Sequence, residues 1–137
     1  GPLITDKGIG KVALGMDIKK LPATMTGVYD KVVVKEEYNA MEDETCTNAV
    51  FTMKGKEVMT AMAFNDGTVS YICVSTPQTG VLIGDKIYKV GSPVNELLKA
   101  PGVKKDPEGN YVALYGEIKF DADVNNKIYS IILGSAW

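Results

Sequence analysis

The chain has 137 residues, a formal net charge of −2 and an apolar fraction of 45% against 23% charged, the balance of one compact domain that buries its own core. All 15 positive charges are lysine, with no arginine and no histidine, which excludes serine–histidine and cysteine–histidine catalysis, histidine-bearing zinc sites and bidentate arginine clamps. The lysines are scattered among 17 acids and no apolar run approaches about 18 residues, so neither nucleic acid nor a membrane span is expected.

The chain begins Gly-Pro rather than Met, as a processed protein or one carrying a tag remnant does, which leaves room for a signal peptide or lipid anchor upstream. Gly8, Gly10 and Gly15 in "GIGKVALG" lack the spacing of a dinucleotide-binding turn, and no long helix follows. They read as tight turns at strand edges. Asp17, Ile18 and Leu21 then predict a helical segment that Pro22 cuts to about one turn, or to a 3₁₀ turn. "KVVVKEEY" predicts a strand, and "NAMEDET" after it a flexible charged loop.

From Ala49 to Ser75 the pattern is a three-strand antiparallel meander, turned at Lys54-Gly55-Lys56 and at Asn65-Asp66-Gly67. "KVGSPVNELLKAPG" predicts a helix of about two turns over Pro93 to Ala100, capped by Ser92 and stopped by Pro101-Gly102. "NYVALYGEIKF" and "KIYSIILGS" flank the polar loop "DADVNN" as a last hairpin.

Aligning Gly15 with Gly91 at an offset of about 76 also places Ile18 on Val94 and Leu21 on Leu97, while Val69 and Ile128 match at an offset of about 59. The expected organisation is a single domain, 1–137, built from pseudo-repeat halves 1–76 and 77–137. The expected class is α+β: a mainly antiparallel sheet with two short helices on one side.

Three residue groups invite a chemical reading. Asp121, Asp123 and Asn125 have the opening spacing of a calcium loop, but Asn126 replaces its glycine and Ile132 its bidentate glutamate, so a polar turn is expected. Glu36, Glu37, Glu42, Asp43 and Glu44 could serve a carboxylate-dependent hydrolase, for example on glycans, yet a flexible loop would not hold two acids at a set distance. Tyr71, Tyr111, Tyr115 and Tyr129 fall in strands as packing residues, leaving Tyr29, Tyr88 and Trp137 less constrained. Cys46 and Cys73 match no zinc or redox spacing, and the strand order predicted for the meander sets them beyond disulfide reach.

The second half, with its glycine, "V..LL" helix face, Gly/Pro break, "Y....F" strand and closing "I..I.L" strand, resembles the unit of small bacterial outer-membrane lipoproteins associated with β-barrel assembly. A tandem pair of such units is similar in plan to the β-lactamase inhibitor protein. The resemblance rests on packing and turn positions and carries over no binding residue. It implies an α+β fold, a location in the cell envelope, periplasm or outside the cell, and contact with another protein or an envelope component. The expected function is therefore non-catalytic binding, with no catalytic, cofactor or metal residue and no cofactor. The carboxylate-dependent hydrolase is the alternative.

Overall fold

A computed structural model describes residues 2–41, 43–113 and 116–134. The chain opens with a small hairpin, β1 (Gly8–Ile9) and β2 (Val12–Ala13), then a 3₁₀ turn over Ile18–Lys20 that runs into α1 (Leu21–Thr24). Four strands follow: β3 (Lys31–Asn39), β4 (Glu44–Met53), β5 (Lys56–Ala63) and β6 (Val69–Val74). A second hairpin, β7 (Gly80–Ile83) and β8 (Lys86–Lys89), leads to α2 (Val94–Leu97). The chain then forms β9 (Lys104–Lys105), β10 (Tyr111–Ala113), β11 (Ile118–Ala122) and β12 (Ile128–Gly134).

The expected α+β class is corrected by this arrangement. Among the described residues the fold is mostly β, built on one eight-stranded antiparallel sheet in the order β3-β4-β5-β6-β12-β11-β10-β9. Helix is confined to single turns, for local reasons. Pro22 occupies the first turn of α1, where its missing N–H costs nothing, so it begins that helix instead of cutting one short. The helix expected over Pro93 to Ala100 is regular only from Val94 to Leu97. Beyond it Lys99 N–H bonds Glu96 O at 3.1 Å and Ala100 N–H bonds Leu97 O at 3.0 Å, three-residue spacings that tighten the end. Ser92 does not cap α2; its hydroxyl accepts from Lys89 N–H at 3.0 Å and closes the preceding turn.

Other expected strands divide or lengthen. "NYVALYGEIKF" is a hairpin in itself, because Gly116, with φ of 86°, donates to Ala113 O and reverses the chain between β10 and β11. The expected flexible loop "NAMEDET" is largely ordered, since β3 and β4 pair as far as Asn39 and Glu44. Asp43 takes a left-handed φ of 47° in the connection and accepts from the Tyr38 hydroxyl. Glu42 lies outside the described residues.

One face of the sheet carries the core. Phe51, Ala49, Met59, Ala61, Ile72, Val74, Ile131, Leu133, Ile118 and Phe120 are buried on it, with Ile18 and Leu21 of the first helical segment and Val94 and Leu97 of α2 in the same cluster. Small residues at 49, 61 and 63 leave room for those helical side chains. The two segments are anchored by matching backbone bonds. Gly15 N–H bonds Val69 O at 2.8 Å, and Gly91 N–H bonds Ile128 O at 2.7 Å. Val69 N–H returns to Met16 O at 2.8 Å, and Ile128 N–H to Ser92 O at 2.9 Å. Ile18 N–H reaches Gly67 O as Val94 N–H reaches Asn126 O. Gly15 and Gly91 have φ of 89° and 94°, conformations that favour glycine at both anchors.

Candidate functional site

The face of the sheet opposite the core presents a continuous surface. In register, Val33 of β3 stands opposite Val50 of β4, Val50 opposite Thr60 of β5, and Thr60 opposite Cys73 of β6. The row continues through Ile132, Lys119 and Val112 to Lys104 on β9. It crosses all eight strands without a break. Val33, Val50, Thr60, Cys73, Ile132, Lys119 and Val112 are each half-buried, as strand side chains are when only their neighbours cover them.

A parallel row runs Lys35, Asn48, Met62, Tyr71 and Gly134. The two rows together hold three lysines, Lys35, Lys104 and Lys119, and no carboxylate. Near the β3 edge Lys31, Val33, Lys35, Val50, Thr52 and Glu57 line a shallow groove of about 180 Å³.

The thiol and phenol at the centre of this face are held uncharged. Burial pushes the Cys73 thiol above its ordinary range, and the Asp121 carboxylate adds to the effect. Burial likewise pushes the Tyr71 phenol up, with the thiols of Cys46 and Cys73 contributing. Both groups are therefore neutral at physiological pH, and Cys73 lacks the lowered pKa of a nucleophilic cysteine. Cys46 and Cys73 are free thiols. They lie on β4 and β6 with β5 between them, about 9–10 Å of lateral separation.

The residues singled out for chemistry are not assembled into a reaction centre. Glu36 and Glu37 are exposed neighbours on β3 whose side chains alternate between faces. The groove on the open face is lined by one carboxylate, Glu57, and the larger cavity elsewhere by none. Asp121 accepts from Ser130 Oγ at 2.9 Å, and Asp123 Oδ1 accepts from the backbone N–H groups of Asn125 and Lys127. These carboxylates organise the β11–β12 turn, where Asn126 adopts φ of 57°. No group of three potential metal ligands occurs among the described residues.

The tyrosines are dispersed. Tyr88 and Tyr111 are buried, Tyr29 meets Phe51 edge-on at 4.9 Å, and Tyr71 lies 6.4 Å from Phe64 on the open face. Tyr129, expected to pack in the sheet, is half-exposed. A bulge pairs Asp121 with Ser130 and Ala122 with Ile128, leaving Tyr129 as the extra residue. Tyr115 and Trp137 lie outside the described residues.

Fold and surface together define a protein whose antiparallel sheet is packed on one face by helical turns and hairpins and left open on the other. No protein-family model matches the sequence, and no curated protein does. The chain is similar in structure to the uncharacterised protein YfeY from Escherichia coli, with a TM-score of 0.66 at 17% sequence identity over 97% of this chain and 99% of that one. At that identity the likeness concerns the fold alone.

Proposed function

We propose that the chain is a non-catalytic, exported or envelope-associated protein that holds a partner protein against the open face of its sheet. The observation that supports this reading is the eight-strand row from Val33 to Lys104, a broad uncovered surface whose middle is Thr60, Cys73 and Ile132. A sheet face that no other element covers, with half-buried apolar side chains along it, is the kind of surface a partner can complete. Lys35 and Lys104, at the β3 and β9 edges of these rows, favour a partner whose contact patch is acidic at its margin. Export is supported by the resemblance of the second half to outer-membrane lipoprotein units.

A photoreactive phenylalanine analogue placed at Met62 or Ile132 in the native host tests the reading, with Ile87 and Val124 as controls away from this face. A discrete adduct with one other protein is expected from positions 62 and 132 only. The isolated partner should bind more weakly to Lys35→Glu and Lys104→Glu, most clearly at low salt. Equal labelling from the controls, an adduct with a second copy of this chain, or undiminished binding by Ile132→Glu would overturn the proposal. Recovery of the protein from the cytosol on fractionation would remove its export.

A further inference from the structure

On the core side of the sheet, a cavity of about 420 Å³ opens where β5 begins and β6 ends, under the segment that precedes β1. That size falls within the roughly 300 to 1,000 Å³ of sites for small molecules. Its inner wall is apolar, formed by Met53, Val58, Met59 and Val74. Tyr29 closes one side, its ring fixed edge-on against Phe51. Val28, 48% exposed, stands at the mouth. The roof is tied down by the Thr79 hydroxyl, which donates to Pro2 O, and by Ile4 N–H, which donates to Gly80 O at 2.8 Å.

One wall residue has an unmet bonding requirement. Thr76, in the connection from β6 to β7, is 4% exposed, and its hydroxyl is buried with no hydrogen-bond partner. A buried hydroxyl without a partner is costly, and native structures rarely leave one. Rotation about χ1 exchanges the hydroxyl and methyl of threonine, so a ligand oxygen beside Thr76 could be bonded without moving the backbone. Among the described residues Lys54 is the one ammonium on the wall; it is exposed, and its backbone N–H is held by Asp30 Oδ2. Gln78, also on the lining, is exposed, and the Thr79 hydroxyl is bonded to Pro2 O, so the buried wall offers the Thr76 hydroxyl and no charge.

We propose that this cavity binds a compact, uncharged apolar molecule bearing one oxygen function, with the apolar body against Val58, Met59 and Val74 and the oxygen at Thr76. A carboxylate would have to shed its hydration against a neutral hydroxyl, at a cost one such bond does not repay. An acid entering tail first would leave its head beside Lys54 and Thr76 unsatisfied. The site is on the core side of the sheet and does not depend on the open face.

The test is a titration of ¹⁵N-labelled protein with 1-octanol and, in parallel, with octanoate. Expected are shifts confined to amides of the cavity wall, binding of 1-octanol about fivefold weaker in Thr76→Val, as loss of one net hydrogen bond gives, and affinity kept in Thr76→Ser. Thr76→Val replaces an unbonded hydroxyl with a methyl of the same shape, so the free variant should melt no lower than the parent. Val28→Trp should obstruct the mouth and suppress the shifts. Tighter binding of octanoate would move the polar contact to Lys54 and overturn the proposal. So would equal affinity in Thr76→Val, equal losses in Thr76→Val and Thr76→Ser, or shifts that persist in Val28→Trp.

Discussion

Gly134 sits on the seam between β6 and β12, directly opposite Tyr71. Its φ of 102° is one that side-chain-bearing residues rarely adopt, so alanine there carries a conformational strain of about 1–2 kcal/mol. A Cβ would also stand 2.2 Å from Ser70 O and 2.8 Å from Tyr71 Cα. Both neighbours are backbone atoms and cannot swing aside, so the strands must part locally and weaken the adjoining ladder. Adding overpacking of about 1–3 kcal/mol, Gly134→Ala should lose about 2–5 kcal/mol. Gly91 supplies the control. Its φ is 94°, but a Cβ there meets nothing within 4 Å, so Gly91→Ala should lose the strain alone, about 1–2 kcal/mol. For a chain of this length each kcal/mol shifts Tm by roughly 3–5 °C, and circular dichroism melts with urea titrations should separate the variants. A Gly134→Ala variant as stable as Gly91→Ala would refute the reasoning, since only the seam contact distinguishes them.

Phe120 is fully buried on β11 opposite Ile131, so Phe120→Ala should cost about 3–5 kcal/mol through lost transfer energy and the cavity left behind, measurable by urea titration. Asp123→Ala removes the acceptor for Asn125 and Lys127 N–H groups and should cost about 1–2 kcal/mol, while added calcium should leave the parent's melting temperature unchanged. Raised folded-state pKa values at Cys73, Tyr71 and Tyr29, each chiefly from burial, mean that the folded protein holds these protons more tightly than the unfolded chain. Their contribution is complete below the ordinary values of 9.0 and 10.0 and is lost as pH rises through the folded values. Urea midpoints should therefore fall above about pH 9, and less steeply in a Tyr71→Phe, Cys73→Ala double variant; equal slopes would discount both groups. Mass spectrometry of unreduced, unfolded protein after alkylation should find both cysteines modified.

The strands of the first half were legible because their signals are local. "NDG" between two β-rich runs sets a turn, and the alternation at Ala49, Phe51, Met59 and Ala61 marks the face that is buried. Gly15 and Gly91 were legible as turn positions for the same reason, although the backbone bonds they make lie more than thirty residues away in sequence. Helix length is not legible in the sequence, because cap and stop residues mark where a helix can begin and end, while its interior depends on how much apolar surface a turn can bury. Here β7 to β10 form sheet from segments too short to show a period, and the balance of the fold moves to β.

The open face shows most clearly what composition and pattern leave undecided. Val32, Val33 and Val34 are indistinguishable in sequence, yet the pairing of Val33 with Val50, and of Cys73 with Ile132, assigns alternate members of such runs to opposite faces. The Val33–Val50 pair is set within one local hairpin, but the Cys73–Ile132 pair needs the register between β6 and β12, strands separated by more than fifty residues, and nothing local specifies it. The same holds for the cavity at Thr76, where a threonine before a proline in a loop reads as ordinary turn chemistry. Thr76 lines a cavity that the segment before β1 also lines, across a sequence separation of about seventy residues, and there its hydroxyl is buried without a partner. Local sequence thus determined where this chain turns and which residues seek burial. Tertiary structure decided which surfaces remained uncovered, because those depend on contacts between segments whose sequences carry no record of one another.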